Sequence, residues 1–422
     1  MDIIANYGNV LIILAVVFGT FMAWGIGAND VANAMGTSVG SGAVTIKQAI
    51  IIAVIFEFSG AILAGGEVTA TIRKGILDAA LFTNDPHLLV YGMMASLLAA
   101  GSWLLIASSF GWPVSTTHSI VGAIVGFGAV GVGVDAVAWG KVIKIVISWI
   151  ASPVLAGIVS FTLFRSLQNL IIDTQDPFNN AKKYVPYYMF LVGFVVSLVT
   201  IFKGLKHVGL SFSASTSYLL SLGFGLLVAI IGTLMIRNIH LNPDENIDFH
   251  FTSMERVFGV LMIITAAAMA FAHGSNDVAN AIGPLAAIYS VIESGGAIGS
   301  KSALPLWILL VGGAGIVVGL VTYGHRVIAT IGTGITQLTP SRGFAATLAA
   351  AATVVIASGT GIPVSTTQVL VGAVLGVGLA RGMAALDTRV INRIFLSWIV
   401  TLPAGALMSI LFFFALKGAF GA

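Results

Sequence analysis

Gly27-Ala28-Asn29-Asp30-Val31-Ala32-Asn33-Ala34 returns, with one change, as Gly274-Ser275-Asn276-Asp277-Val278-Ala279-Asn280-Ala281. Each copy ends a long apolar run. Apolar sequence repeats readily by chance, whereas an Asn-Asp-x-x-Asn group inside such sequence does not. Polar and ionisable side chains at bilayer depth are costly, so they mark a substrate or ion path. A duplicated chain with duplicated polar interruptions predicts a secondary transporter.

Composition agrees. Of 422 residues, 58% are hydrophobic and 8% charged, against about 25% charged in a soluble domain. This is the composition of an integral membrane protein. The 50 glycines suit closely packed membrane helices. A net charge of +3, scattered along the chain, gives no footprint for nucleic acid. With no cysteine, disulfides, thiolate metal sites and cysteine nucleophiles are excluded. Met1-Asp2-Ile3-Ile4 lacks a basic leader and a small-residue cleavage site, so the first apolar run reads as a retained span.

A membrane span needs about 20 apolar residues. By that ruler twelve segments are expected, near 4–26, 46–66, 88–109, 112–134, 137–164, 185–203, 209–236, 255–273, 303–323, 342–360, 362–380 and 391–416. Single spans in lipid satisfy their own backbone, so the fold is all-α. Polar loops at 165–184 (Arg165, Asp173, Asp176, Lys182, Lys183) and 237–256 (Arg237, His240, Asp244, Glu245, Asp248, Glu255, Arg256) mark the middle.

Three landmarks recur at nearly one offset. Asn29 and Asn276 lie 247 positions apart, Pro113 and Pro363 lie 250 apart, and Ser148-Trp149-Ile150 and Ser397-Trp398-Ile399 lie 249 apart. The expected division is therefore a first membrane repeat over 1–164, central loops with two inserted spans over 165–254, and a second repeat over 255–422. Between the two Asn-Asp motifs the chain crosses seven times if every segment spans. It crosses five times if 88–109 and 112–134 form a re-entrant hairpin. Both counts are odd, so the repeats are inverted, and the even total places both termini on one side. Putting the termini outside, with both hairpins re-entrant, leaves eleven basic residues inside: Lys47, Arg165, Lys182, Lys183, Arg237, Arg256, Arg326, Arg342, Arg381, Arg389 and Arg393. Eight fall outside, Arg73 and Lys74 among them, so the positive-inside rule favours this orientation.

In Ser108-Ser109-Phe110-Gly111-Trp112-Pro113-Val114-Ser115-Thr116-Thr117, serine, glycine and proline end one helix. Proline then fits the first turn of the next. Ser115, Thr116 and Thr117 follow, with free backbone N–H groups and hydroxyls at the positive end of the helix dipole. That is an anion site without a basic residue. Gly361-Ile362-Pro363-Val364-Ser365-Thr366-Thr367 repeats it, and two such ends facing one another would cradle a tetrahedral oxyanion. The blander reading is that the hydroxyls pair neighbouring helices; duplication at matched positions favours function.

The Asn-Asp motifs supply the opposite chemistry. Gly25, Gly27 and Gly274 would permit unwinding. Asp30 and Asp277 offer anionic oxygens, and Asn29, Asn33, Asn276 and Asn280 offer amide oxygens on shared helix faces. Hard oxygen ligands suit Na⁺, the alternative being a helix cap with a buried polar network. Acids beside an oxyanion repel it in a low dielectric, so binding is favourable only with cations between them. Cation-coupled anion uptake follows, with proton coupling through Asp30 or Asp277 as the competing route.

At these residues the chain resembles the PiT family of inorganic phosphate transporters. The likeness extends to Gly36-Thr37-Ser38-Val39-Gly40-Ser41-Gly42, Thr71-Ile72-Arg73-Lys74-Gly75-Ile76 and both Pro-Val-Ser-Thr-Thr segments. It implies twelve membrane segments in inverted repeats, outside termini in a cell membrane, Na⁺- or H⁺-driven phosphate symport, and homodimers. A minority of the family carries sulfate. On matching positions, Asp30, Asn33, Asp277 and Asn280 would serve Na⁺. Ser115, Thr116, Thr117, Ser365, Thr366 and Thr367 would serve phosphate, with Gln368 beside them. Glu57, within Ile55-Phe56-Glu57-Phe58, matches a family acid and is assigned with His118 to a possible ion pathway. Two positions depart from the family pattern: Gln368 replaces a histidine that His118 keeps in the first copy, and Thr347 stands where many members carry glutamate. Both departures weaken proton handling in the second half and favour Na⁺.

Arg73, Lys74, His273 and Arg326 are expected to anchor helix ends rather than attract anions at a vestibule, and Trp24, Trp103, Trp112, Trp139 and Trp307 to sit at the membrane interface. No serine has the histidine partner that an intramembrane hydrolase needs. A passive anion channel would require a continuous pore, whereas paired helix ends and buried acids describe a site that closes.

Overall fold

The computed structural model describes residues 3–240, 247–298, 304–331, 338–382 and 388–421. Asp244 and Glu245 of the central loop lie outside these residues, as do the side chains of Arg326, Arg389 and Arg393. The described chain is helical throughout, its sole β feature a bridge between Leu77 and Val137.

The first repeat contains α1 (Ile3–Gly40), α2 (Ile46–Ala64), a short α3 (Gly66–Lys74), α4 (Pro86–Ser109), α5 (Thr116–Phe127) and α6 (Trp139–Leu167). Helices α7 (Pro177–Phe202) and α8 (Ala214–Arg237) are inserted next. Then follow α9 (Ile247–Glu293), α10 (Leu306–Ile331), α11 (Pro340–Gly359), α12 (Thr366–Arg381) and α13 (Thr388–Phe420). Helix starts follow capping chemistry. Thr45 and Gln48 form a reciprocal capping box on α2, and Asp176, Ser213, Ser115 and Ser365 each accept a backbone N–H at the start of their helix. Among the described residues, ten helices are long and apolar enough to cross a bilayer, and the protein is a multi-pass membrane protein. Helices α5 and α12 have 12 and 16 residues. They rise about 18 and 24 Å, short of the ~30 Å hydrocarbon core.

The buried apolar residues form two cores, and the direction in which each helix passes between them fixes the topology. Helix α1 runs from one core (Leu11, Met22, Ile26) to the other (Val31, Met35), whereas α9 runs from the second (Met262, Met269) to the first (Val278, Ile282). Helices α2 and α10 oppose one another in the same way, as do α6 and α13. The repeats are therefore inverted. Both arms of the α4–α5 hairpin are buried in one core and both arms of α11–α12 in the other, which makes each hairpin re-entrant. Tyr7 and Phe420 pack ring to ring at 5.9 Å, so both ends of the chain lie at one end of the molecule.

The halves interlock. Helix α1 packs on α10 as α9 packs on α2, and α5 packs on α13 as α12 packs on α6. Such reciprocity is what a two-fold relation requires. The crossings are backbone to backbone: a Cβ on Gly27 would strike the Ile316 carbonyl, and one on Gly274 would strike the Glu57 carbonyl. These glycines do not unwind their helices as the sequence predicts. Both α1 and α9 continue unbroken through the Asn-Asp motifs, because glycine here permits close approach rather than a break. Pro113 likewise is not in the first turn of α5. Ser115 is the N-cap, and Trp112–Val114 is non-helical.

Gly60 and Gly319 make the same kind of contact, against the carbonyls of Phe271 and Trp24. Gly60→Ala and Gly319→Ala should each destabilise the protein by about 1–3 kcal/mol, read as earlier melting in detergent. Gly140→Ala, which meets no neighbour, should melt like wild type. Equal melting of all three would contradict the crossing geometry.

Candidate functional site

The waist between the two cores is where α1 and α9 carry their Asn-Asp motifs and where both hairpins end. Asn29, Asp30, Asn33, Asn276, Asp277 and Asn280 are each at most 1% exposed. Close to a two-fold axis, the Asn-Asp and hairpin-tip groups of one repeat are answered by those of the other.

Asn33 donates through Nδ2 to Asp30 Oδ1 at 3.1 Å and, across the axis, to Thr367 Oγ1 at 2.8 Å. Asn280 reciprocates, donating to Asp277 Oδ1 at 3.4 Å and to Thr116 and Thr117 Oγ1 at 3.3 and 3.2 Å. Thr117 donates to the Val364 carbonyl at 3.0 Å and Thr367 to the Val114 carbonyl at 3.3 Å. The two hairpin tips are thus bonded directly to each other. Asn29 holds the first tip through Ser108 and the Trp112 carbonyl, at 2.9 and 3.1 Å. Asn276 holds the second through the Val364 carbonyl at 2.8 Å and Ser358 at 3.4 Å. Ser108 and Ser358 are site residues that the sequence reading passed over; their matched positions before the two prolines were the available signal.

At each tip a glycine with positive φ, Gly111 at 65° and Gly361 at 72°, turns the chain. Ser115 and Ser365 then cap their helices, accepting from the N–H groups of His118 at 3.2 Å and Gln368 at 3.3 Å. Their hydroxyl protons stay free to donate. The first N–H to enter the helical ladder is that of Ser119 in α5 and of Val369 in α12, so the N–H groups of Thr116, Thr117, Thr366 and Thr367 point beyond the helix ends.

The cation side is as well defined. Asn29 Oδ1, Asp30 Oδ2 and Asn280 Oδ1 are buried without a hydrogen-bond partner among the described residues. A buried oxygen left unbonded costs free energy unless something else binds it, and carboxylate and amide oxygens are the ligand type a hard cation takes. Asp277 Oδ2 accepts from Thr366 at 2.7 Å.

His273 corrects the sequence reading. It is not a helix-end anchor but fully buried at the centre, with Nε2 2.9 Å from Asp277 Oδ2 and 4.0 Å from Asp30 Oδ2, and Nδ1 3.2 Å from Glu57 Oε1. Asp30, His273 and Asp277 bring their ligating atoms within 4.8 Å of one another. The i, i+4 spacing of His273 and Asp277 was a legible sign of a shared face. Glu57, at 0% exposed, belongs to this cluster. The crossing contacts match His273 with Ile26 and Glu57 with Ile316, so the polar pair exists at the α2–α9 crossing and not at the α1–α10 crossing. Thr347 bonds Thr37 at 2.7 Å, adding no acid to the second half.

Other expected residues lie elsewhere. His118 and Gln368 line a chamber beside α6, α12 and α13. Arg73 and Lys74 end α3 beside a small pocket at the end of the molecule that carries the termini; burial lowers the Arg73 guanidinium below its ordinary value. Trp24 and Trp103 tie helices together through Thr322 and Thr401, at 3.0 and 3.3 Å.

Replacing His273 alone by isoleucine leaves three carboxyl groups buried together, a loss on the scale of about 3–5 kcal/mol. The double change Glu57→Ile/His273→Ile copies the apolar pair of the α1–α10 crossing and should melt well above the single variant. A double variant no more stable than the single would show that the pair does not act as a unit.

Comparison with known proteins agrees with this architecture. Residues 26–409 match the family described as the Phosphate transporter family. A Haemophilus influenzae protein, provisionally named a phosphate permease, is 54% identical over 420 residues, covering 100% of both chains. The Arabidopsis thaliana protein named inorganic phosphate transporter 2-1, chloroplastic, is 44% identical over 419 residues, covering 94% of this chain and 70% of its own. A solved structure titled the sodium-dependent phosphate transporter superposes with a TM-score of 0.89 at 40% identity, covering 97% of this chain and 99% of its own. These are transporters rather than enzymes, and the chain belongs to the phosphate transporter family.

Proposed function

We propose that this protein couples inward movement of inorganic phosphate to Na⁺ by alternating access, in a cell membrane with both termini outside, as a homodimer. The observation that carries this reading is the meeting, at one buried waist, of unbonded cation-ligating oxygens with two helix N-termini. Na⁺ binds to Asp30 Oδ2 and the free amide oxygens of Asn29 and Asn280, with Asn33, Asn276 and Asp277 completing and orienting the set. Phosphate binds between the tips, held by the free N–H groups and by the hydroxyls of Ser115, Thr116 and Ser365, while Thr366 donates to Asp277 Oδ2 and orients that carboxylate. Thr117 and Thr367 spend their protons on the opposite tip, so their role is to lock the two repeats across the axis. Gln368 contributes its cap bond to Ser365 rather than a contact to the anion.

The order of binding follows from charge. Three carboxyl groups with a single histidine repel an oxyanion in a low dielectric. Cations bind first, and phosphate then bridges Na⁺ and the two positive helix ends. Rocking of the interlocked halves about their two-fold relation exposes the waist to one side and then the other.

A second reading, proton coupling, draws on the chain of contacts from Glu57 through His273 to Asp277. Uptake of labelled phosphate into proteoliposomes separates the two. An imposed Na⁺ gradient at equal pH should drive accumulation, and a pH gradient without Na⁺ should not. The reverse result establishes proton coupling, and conduction indifferent to both gradients establishes a channel. Sulfate competition in the same assay measures oxyanion selectivity.

Asp30→Asn and Asp277→Asn should weaken the dependence of uptake on Na⁺ concentration while leaving folded protein. Unchanged Na⁺ dependence in both would remove these acids from the cation site. Thr116→Val should raise the apparent phosphate constant roughly tenfold, the value of one charged hydrogen bond. An unaltered constant would contradict the cradle.

A further inference from the structure

Directly behind the two hairpin tips lies a chamber of about 750 Å³, enclosed by α6, α12 and α13. Its deep wall carries His118, Trp149, Gln368 and Trp398. These are two repeat-related pairs: His118 and Gln368 each follow a Pro-Val-Ser-Thr-Thr segment, and Trp149 and Trp398 each stand in a Ser-Trp-Ile segment. The chamber therefore straddles the internal two-fold relation. Its rim consists of Ile150, Val154, Ile158, Leu379 and Ile399, between 48% and 69% exposed. On membrane-spanning helices such a rim faces hydrocarbon, so the mouth opens into the bilayer.

The four deep residues are at most 6% exposed. Nε1 of Trp149 and Nε1 of Trp398 have no hydrogen-bond partner among the described residues, while the His118 imidazole is set against the Gln368 side chain and the Trp398 backbone. Two such donors in one place are costly, because a buried polar atom without a partner loses its hydration and gains nothing in return. The same four residues line a cavity whose volume lies within the 300–1,000 Å³ range of ligand sites. No lysine, arginine or carboxylate lines it, so its occupant is uncharged. The indole N–H groups are donors only, so the occupant's buried end accepts hydrogen bonds. Phe161 and Phe395 complete aromatic walls with the two indoles, and the Trp149 ring lies 3.9 Å from that of His118, a surrounding that fits a flat ring.

We propose that this chamber binds an uncharged lipophile from the bilayer, with a flat, carbonyl-bearing head against the two tryptophans and an apolar tail along α6 and α12. Gly157, Gly372 and Gly376 bring those two helices into backbone contact beside the chamber. A molecule seated there wedges against helices that must move if the halves rock, and so slows transport. The site is separate from the anion and cation groups at the waist, and its occupancy is measurable without either.

The test is equilibrium binding of a radiolabelled decyl-substituted 1,4-benzoquinone to the purified full-length protein in detergent, without Na⁺ or phosphate. Binding should saturate at one per chain and resist displacement by decylbenzene, which has the tail and ring but no acceptor. The Trp149→Phe/Trp398→Phe pair removes both donors and should weaken binding roughly tenfold, about the worth of two neutral hydrogen bonds. Ile158→Trp, at an exposed rim position, blocks the mouth without touching the deep wall and should have at least as large an effect in protein that melts normally. Unsaturable uptake, equal displacement by decylbenzene, or unchanged affinity in both variants would overturn the proposal. Because the readout contains neither phosphate nor Na⁺, failure here leaves the transport reading intact, and the converse holds.

Discussion

Four ionisable side chains, Asp30, Glu57, His273 and Asp277, are buried within a few ångströms of one another at the junction of two apolar cores. Isolated charges at such depth are strongly disfavoured, so the surrounding architecture has to answer them. Each answer is local and physical. A histidine stands between the acids, threonine hydroxyls and asparagine amides bond their oxygens, and two helix ends present N–H groups nearby. Oxygens of Asn29, Asp30, Glu57 and Asn280 are still without a hydrogen bond among the described residues, which is the ground for proposing a cation there.

The inverted duplication is what makes that concentration of polar groups possible. A single helix motif can satisfy its own carboxylate through the i, i+3 asparagine, as Asn33 does for Asp30. It cannot also supply the helix end that faces it. The second copy supplies that end, and the exchange is mutual: Asn33 bonds Thr367 while Asn280 bonds Thr116 and Thr117. Glycine crossings at Gly27 and Gly274 bring the backbones close enough for the exchange, so the small residues serve packing and the polar residues serve recognition. The symmetry is broken at one place, where His273 and Glu57 correspond to isoleucines at the α1–α10 crossing. A site that must bind unlike charges has reason to depart from symmetry there.

Much of this was legible from residue patterns. Twelve apolar segments were expected and each holds a helix, ten of span length among the described residues, as bilayer thickness dictates, while α5 and α12 are the short arms of the hairpins. The hairpins were legible from serine, glycine and proline clustered at 108–113 and 358–363. What sequence misassigned depends on three-dimensional approach. The glycines of the Asn-Asp motifs read as helix breakers because propensity is local, whereas their partners are carbonyls more than 200 residues away in sequence. Pro113 read as the start of α5, but Ser115 is the better cap and the carbonyl of Val114 is needed by Thr367. His273 read as an anchor because its two nearest acids on other helices, Asp30 and Glu57, are visible only after folding.

The central claim is that phosphate binds favourably only when cations neutralise the buried acids, which makes the two affinities thermodynamically linked. Titration of phosphate into the purified protein, by calorimetry at constant pH and ionic strength, tests this directly. With Na⁺ exchanged for choline, phosphate affinity should fall by at least about tenfold, and Na⁺ affinity should fall by the same factor when phosphate is withheld. Phosphate binding of equal strength in both media would contradict the account.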